Sequence, residues 1–323
     1  MSGKRLKIVV AECGGFSSEA AALLRNDGDL VLADLTRAGL LSHLEEADVL
    51  WIRLRHRIDA EVLAAAPRLK IIITPTTGLN HIDLNEVHRR GMKVLCLQGE
   101  TEFLNNVRAT AEHTIGLMLS LLRHVPPAVD DVKKGNWDRD RFKGRELFGK
   151  TIGIIGYGRL GRLVAKYLRP FETRILVSDP HINRESNNNG ISAASLEDLL
   201  QQSDIVSLHA SLSDVTRSFF GREQFLKMKA GAWFINTARG ELIDEAALLE
   251  ALRSRRLAGA ALDVLCGEHE KAIDDNPLIS YARDNDNLLI TPHIGGCTVE
   301  SMEKTEVFMA KKLAAVLLES VSD

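Results

Sequence analysis

Short apolar runs and longer amphipathic stretches alternate along the whole chain. In the first third, KIVV (7–10), DVLWIR (48–53), KIIIT (70–74) and KVLCL (93–97) predict strands, because β-branched side chains suit a buried pleated surface. Between them SSEAAALLRN (17–26), DAEVLAAA (59–66) and DLNEVHRRG (83–91) predict helices, the last closed by a glycine suited to a C-terminal cap. A long apolar helix is expected from Asn106 to Arg123, ended by Pro126 and Pro127. The polar stretch KKGNWDRDRFKGRELFGK (133–150) reads as a connection. The alternation then restarts with TIGIIG (151–156), RILVSD (174–179), DIVSLH (204–209), AWFINT (232–237), AALDVL (260–265) and LLITPH (288–293). Strands alternating with helices imply βαβ units, and two such series predict an α/β chain of two parallel-sheet domains.

Composition narrows the function. The 323 residues are 45% hydrophobic and 26% charged, ordinary for a globular protein with a sizeable core. A formal net charge of -3 argues against nucleic acid or an anionic membrane as partner, since both demand a basic excess. Cys13, Cys96, Cys266 and Cys297 are scattered without a Cys-x-x-Cys pair, so neither a disulfide frame nor a metal site is expected. Glu12 ends the first apolar run too early for a signal peptide, and IGLMLSLL (115–122) is too short to span a bilayer. The expectation is a cytoplasmic protein that handles a small molecule.

One motif carries chemistry by its context. Gly156-x-Gly158-x-x-Gly161 follows a buried-type strand and opens the helical pattern RLGRLVAKYL. The first glycine makes the tight turn, the second lets pyrophosphate approach the backbone, and the third allows close helix–strand packing. The helix start adds amide donors, and Arg159 inside the loop adds charge. Asp179 ends the next strand, where a carboxylate accepts from ribose hydroxyls and repels a 2′-phosphate. NAD is therefore the expected cofactor.

Together with GYGRLG (156–161), the segments VSDP (177–180), NTARGELID (236–244), ALDVLCGE (261–268) and TPHIGG (291–296) resemble the D-isomer-specific 2-hydroxyacid dehydrogenase family. TTGLNHID (76–83) and ATAEHTIGLML (109–119) extend the likeness over nearly the whole chain, nearest to the short form of its 3-phosphoglycerate dehydrogenase branch. The resemblance implies two Rossmann- or flavodoxin-like domains with the active site in the cleft. Residues 1–101 and 291–323 would form the substrate domain and 102–290 the NAD-binding domain. It implies no C-terminal regulatory domain after Asp323, and a homodimer with the helix at 106–123 as a candidate contact.

The same resemblance assigns roles. His293 is the acid/base, Glu268 its carboxylate partner, and Arg239 the clamp on the substrate carboxylate. Each residue type suits its role, since histidine both gives and takes a proton near neutrality and arginine's planar fork matches a carboxylate. The family commonly has proline after the glutamate, whereas GEHEK stands here, so Glu270 is an alternative to Glu268. Matching cofactor positions are Thr110, Leu160, Ala210, Ser211, Thr237, Ala238 and Asp263, the last toward the nicotinamide carboxamide. Proline is common in the turn after DIVSLH, and Ala-Ser-Leu replaces it here.

At the substrate end, Thr77, Gly78 and Leu79 match a loop whose amides receive the substrate carboxylate. Arg53, Arg55 and Arg57 alternate through RLRHR, and a continuing strand would put them on one face. Either they make a solvated basic edge, or they receive a second anionic group, as in 3-phosphoglycerate. Arg53 matches a substrate-directed arginine of the phosphoglycerate branch, but Thr74 stands where that branch has a second. The expected activity is reversible hydride transfer between NAD(H) and a 2-hydroxy/2-keto acid, a dianionic one being favoured. The alternative is a non-enzymatic NAD(H)-sensing, corepressor-like binding protein.

Overall fold

The computed structural model describes residues 5–182, 190–268 and 275–322. The chain forms two compact units, one of residues 1–107 and 298–323, the other of residues 108–297. These divisions fall at 107 and 297, where the family resemblance implies 101 and 290, so His293 belongs to the second unit.

The first unit carries a five-stranded sheet of β1 (Leu6–Val10), β2 (Gly28–Leu32), β3 (Val49–Trp51), β4 (Ile71–Ile73) and β5 (Lys93–Leu95). Its order is β2-β1-β3-β4-β5 and every pair is parallel. Successive side chains of a strand leave on opposite faces, so Val9, Leu50 and Ile72 enter one core while Ile8, Val10, Val49, Trp51, Ile71 and Ile73 enter another. Helix Val299–Ser322 returns from the far end of the chain to pack beside Ser18–Asp27 on the second of these faces.

The second unit holds seven strands: β6 (Thr151–Ile155), β7 (Arg174–Ser178), β8 (Ile191–Ala193), β9 (Ile205–Leu208), β10 (Ala232–Asn236), β11 (Leu257–Leu262) and β12 (Leu288–Ile290). They run β12-β11-β10-β9-β6-β7-β8, again all parallel. Ile152, Ile154, Ile175, Val177 and Ile235 fill one side, and Ile155, Leu176, Val206, Leu208 and Phe234 the other. Both faces are therefore buried, which is why these strands read as continuous apolar runs.

Four expectations change. GDLVL at 28–32 and ISA at 191–193 are edge strands that the apolar pattern does not mark. The long helix runs Ala109–Leu122, and the two prolines do not mark its end. They occupy the first turn of a new helix, Val125–Lys133, where a missing N–H costs nothing, after His124 turns the chain at φ 52°. Finally β3 stops at Trp51, so the arginines of RLRHR lie on a loop and share no strand face.

Candidate functional site

In the second sheet the chain leaves β6 toward β7 and later returns on the opposite side as β9, which makes the β6/β9 boundary the point where strand order reverses. Ligands of open α/β sheets bind beyond the carboxyl ends of strands at such a point. Gly156 stands there with φ 88°, and a Cβ on it would lie 2.6 Å from the Ala210 amide nitrogen. A Cβ on Gly161 would collide with the Gly156 carbonyl, so helix Arg159–Leu168 approaches the loop closely only because residue 161 is glycine. A Cβ on Gly158 would meet nothing within 4 Å among the described residues. That residue caps the helix without a side chain, and the first amides of a helix have no acceptor within it. Open space before a helix start fits a pyrophosphate.

The neighbouring candidates border this loop. Asp179 accepts from the Tyr157 amide (2.7 Å) and the His181 amide (2.8 Å), so the carboxylate expected at the ribose also fastens the glycine turn. Leu160 packs its side chain on the core and offers backbone to the loop. Arg159 is half-buried, and burial lowers its pKa. Ala210 and Ser211 follow β9, and the Ser211 carbonyl holds Thr216 Oγ1 (2.7 Å). Beside them His209 bonds Ser207 Oγ through Nε2 (2.8 Å) and leaves Nδ1 enclosed with no partner among the described residues. Burial pushes the His209 imidazole down to about 4, so the ring is neutral at physiological pH.

The carboxyl ends of β10, β11 and β12 build the second half of the site. After β10, buried Asn236 accepts from the Ala238 amide (3.0 Å) and donates to the Arg239 carbonyl (2.9 Å), which fixes the turn presenting Arg239. The Arg239 guanidinium donates to the Ala238 carbonyl (2.6 Å); burial lowers its pKa, and Glu268 and Glu241 oppose that. Gly240 lies against the backbone of Leu265 and Cys266, where any Cβ would collide, and so brings the arginine turn onto the loop carrying Glu268. Thr237 is buried and spends its hydroxyl on Thr114 (2.9 Å). Ala238 is half-buried, leaving its backbone at the turn.

His293 and Glu268 meet: the imidazole Nδ1 hydrogen-bonds Glu268 Oε1, while Glu268 Oε2 accepts from the Leu265 amide (3.1 Å). Glu270, the alternative partner, lies outside the described residues. His293 has φ 53°, a conformation unusual for a residue with a Cβ. Asp263 holds it there. The Asp263 carbonyl accepts from the His293 amide (2.8 Å), and its carboxylate accepts from the Ile294 amide (2.9 Å), the Gly295 amide (2.7 Å) and Thr291 Oγ1 (2.6 Å). Burial works to raise the Asp263 pKa, but His113, Thr291 and these amides outweigh it and the pKa is lowered. The side chain expected at the nicotinamide carboxamide is thus already engaged in shaping the histidine turn.

His113 lies inside the segment ATAEHTIGLML, yet the sequence assigns it no role. It stands one turn after Thr110 on helix Ala109–Leu122, with Nε2 3.0 Å from Thr291 Oγ1 and 3.2 Å from Asp263 Oδ1. Thr110 also borders the turn, since a Cβ on Gly295 would lie 3.2 Å from its methyl. The available signal is the i, i+3 spacing of Thr110 and His113 near the polar start of a helix whose later turns are mostly apolar.

In the first unit, the amides of Thr77, Gly78 and Leu79 reach no backbone acceptor among the described residues, while Thr76 Oγ1 pins the Gly78 carbonyl (2.8 Å). Arg53 departs from expectation. Its Nε and Nη2 go to Glu306, 1% exposed on helix Val299–Ser322, and its Nη1 to the Gly14 carbonyl (2.7 Å). The guanidinium is consumed in a partly buried pair that no local sequence signal announces, because 253 positions separate the partners. Arg55 pairs with Asp34.

Comparison with known proteins places this geometry. Residues 115–295 match the model of the D-isomer specific 2-hydroxyacid dehydrogenase, NAD binding domain. Over 311 residues the chain is 37% identical to a D-3-phosphoglycerate dehydrogenase of Archaeoglobus fulgidus, covering 95% of this chain and 56% of that one. A glyoxylate reductase of Thermofilum pendens is 38% identical over 290 residues, 87% of this chain and 82% of its own. A solved D-lactate dehydrogenase from Aquifex aeolicus, complexed with NAD and lactic acid, superposes with a TM-score of 0.83 at 29% identity, covering 98% of this chain and 96% of that one. The chain belongs to the D-isomer specific 2-hydroxyacid dehydrogenase family, and its second unit contains the family's NAD-binding domain. It spans a little over half the length of the phosphoglycerate dehydrogenases it matches.

Proposed function

We propose that the protein is an NAD-dependent oxidoreductase interconverting a 2-hydroxy acid and its 2-keto acid. The hydrogen bond between His293 Nδ1 and Glu268 carries this reading. A carboxylate on Nδ1 keeps the proton there, so Nε2 is left to take the proton of a substrate hydroxyl or return it to a carbonyl oxygen. Bound NAD supplies the hydride acceptor, and NADH the donor. Arg239, on a turn fixed by Asn236, holds the substrate carboxylate through two parallel hydrogen bonds and stays charged at any working pH. In the first unit, the amides of Thr77, Gly78 and Leu79, with no backbone acceptor among the described residues, suit an anionic group. Gly156, Gly158, Arg159, Leu160 and Gly161 hold the pyrophosphate, and Asp179 the adenosine ribose, which favours NAD over its 2′-phosphorylated form.

A phosphorylated acid loses the support that the arginine run gave it, because Arg53 is bound to Glu306 and Arg55 to Asp34. A homodimer remains our reading, through a different surface. Helix Ala109–Leu122 turns Leu117, Met118 and Leu121 into its own core, whereas Val125, Val129 and Val132 form an exposed i, i+4, i+7 stripe on the next helix, with Trp137 89% exposed beyond it.

Loss of NADH absorbance with glyoxylate, pyruvate, hydroxypyruvate and phosphohydroxypyruvate tests the activity. His293→Ala is expected to lower kcat by about a hundredfold or more while NADH still binds. If no 2-keto acid is reduced by a protein that binds NADH, the enzymatic reading fails. NADH-dependent capture of a partner by a fully competent His293→Ala variant would install the corepressor-like one.

A further inference from the structure

In the first sheet the strand order reverses between β1 and β3, since the chain leaves β1 toward β2 and comes back on its other side. The crevice at that reversal is where an open α/β sheet receives an anion. Here the protein has filled it with its own. Glu12, 6% exposed and two residues past β1, accepts from the Arg53 amide through Oε1 (3.0 Å) and from the Arg55 amide through Oε2 (3.2 Å). Glu12 thus takes two backbone donors just past the end of β3. Glu306 then takes the Arg53 guanidinium and the Ser17 amide (2.7 Å), and Asp34 takes Arg55.

The cluster therefore holds three carboxylates, Glu12, Asp34 and Glu306, against two guanidiniums. Burial lowers the His56 pKa although Glu12 opposes the shift, so the environment disfavours a charged imidazole there. Thr74, fully buried, stands next to the cluster with its hydroxyl 3.5 Å from the Arg53 carbonyl and 3.0 Å from Thr76 Oγ1. Loop 76–79 and the arginine loop thus leave adjacent strands, β4 and β3, at the same edge of one sheet.

We propose that Glu12, backed by Glu306, is a specificity residue that turns away a second negative charge, so that the substrate is a singly charged 2-keto acid. This rests on the reading of the chain as a 2-hydroxyacid dehydrogenase with loop 76–79 at the substrate. A tail extending from that loop toward the ends of β3 and β1 meets a surface whose amides and cations are already neutralised. A small uncharged tail is accepted, while a phosphate or second carboxylate faces Glu12 with both guanidiniums of this cluster already paired.

The test compares kcat/KM for hydroxypyruvate with phosphohydroxypyruvate, and for pyruvate with oxaloacetate, in the full chain with NADH. Preference for the singly charged member of each pair by about tenfold or more is expected, the size a like charge a few ångströms away confers. Glu12→Gln should narrow both ratios, since it removes the charge at nearly constant shape. Should that variant not fold, Asp34→Asn on the exposed side frees Arg55 and is expected to narrow the phosphate ratio. Equal or better turnover of the dianionic acids by the unaltered protein overturns the proposal, and so do ratios that neither variant moves. Absence of turnover with all four acids, NADH binding retained, instead overturns the enzymatic reading beneath it.

Discussion

His293 occupies a backbone conformation that costs a residue with a Cβ about 1–2 kcal/mol, and it stays there because Asp263 ties down the residues on both sides. The histidine and glutamate are legible from their motifs; the support beneath them is not. His113 and Thr291 come from positions 178 residues apart, and only folding brings their side chains to 3.0 Å. This brace gives a prediction at its own scale. His113→Phe removes the bond to Thr291, and loosening the turn of the proposed acid/base by a fraction of an ångström is expected to lower kcat by about ten- to a hundredfold. The KM for NADH should change little, and His113→Gln, which keeps a donor, should recover much of the loss. A loss confined to KM, or no rescue by glutamine, would count against a positioning role.

Among elements, the glycine loop is legible because each glycine answers a separate physical demand. The structure separates those demands. Gly161→Ala forces a Cβ onto the Gly156 carbonyl and should destabilise the fold by several degrees in Tm, whereas Gly158→Ala meets open space and should cost less than about 1 kcal/mol. Gly158→Ala is nonetheless expected to weaken NADH binding at least tenfold, because the added methyl stands where pyrophosphate approaches the backbone. Titration of NADH fluorescence checks this, and unchanged affinity would remove the cofactor from that face. Edge strands are harder to read. β2 begins at Gly28, whose Cβ position is filled by the Leu6 carbonyl, and neither it nor the three-residue β8 has the long apolar run that both-face burial writes into central strands. Pro126 and Pro127 mislead for a related reason, since proline ends one helix and starts another with equal ease.

At the scale of the molecule, the exposed stripe of Val125, Val129 and Val132 asks for a cover, and a second copy of the chain would supply one. Light scattering of the purified protein should return twice the 35.6 kDa chain mass, and Val129→Asp should return the monomer with NADH binding retained. A monomer before substitution would refute the dimer.

The sequence by itself determined the parallel sheets and the nucleotide-loop motif, and by family resemblance it marked His293, Glu268 and Arg239 as candidates. Each of these is written in local periodicity or in short motifs whose residues act near one another along the chain. Tertiary structure alone decided what surrounds them: which oxygens Asp263 spends on the histidine turn, that Glu306 takes Arg53, and that Glu12 fills the crevice of the first sheet. Those partners lie between 28 and 253 positions apart, and hydrogen bonds over such separations leave no periodic trace in the sequence.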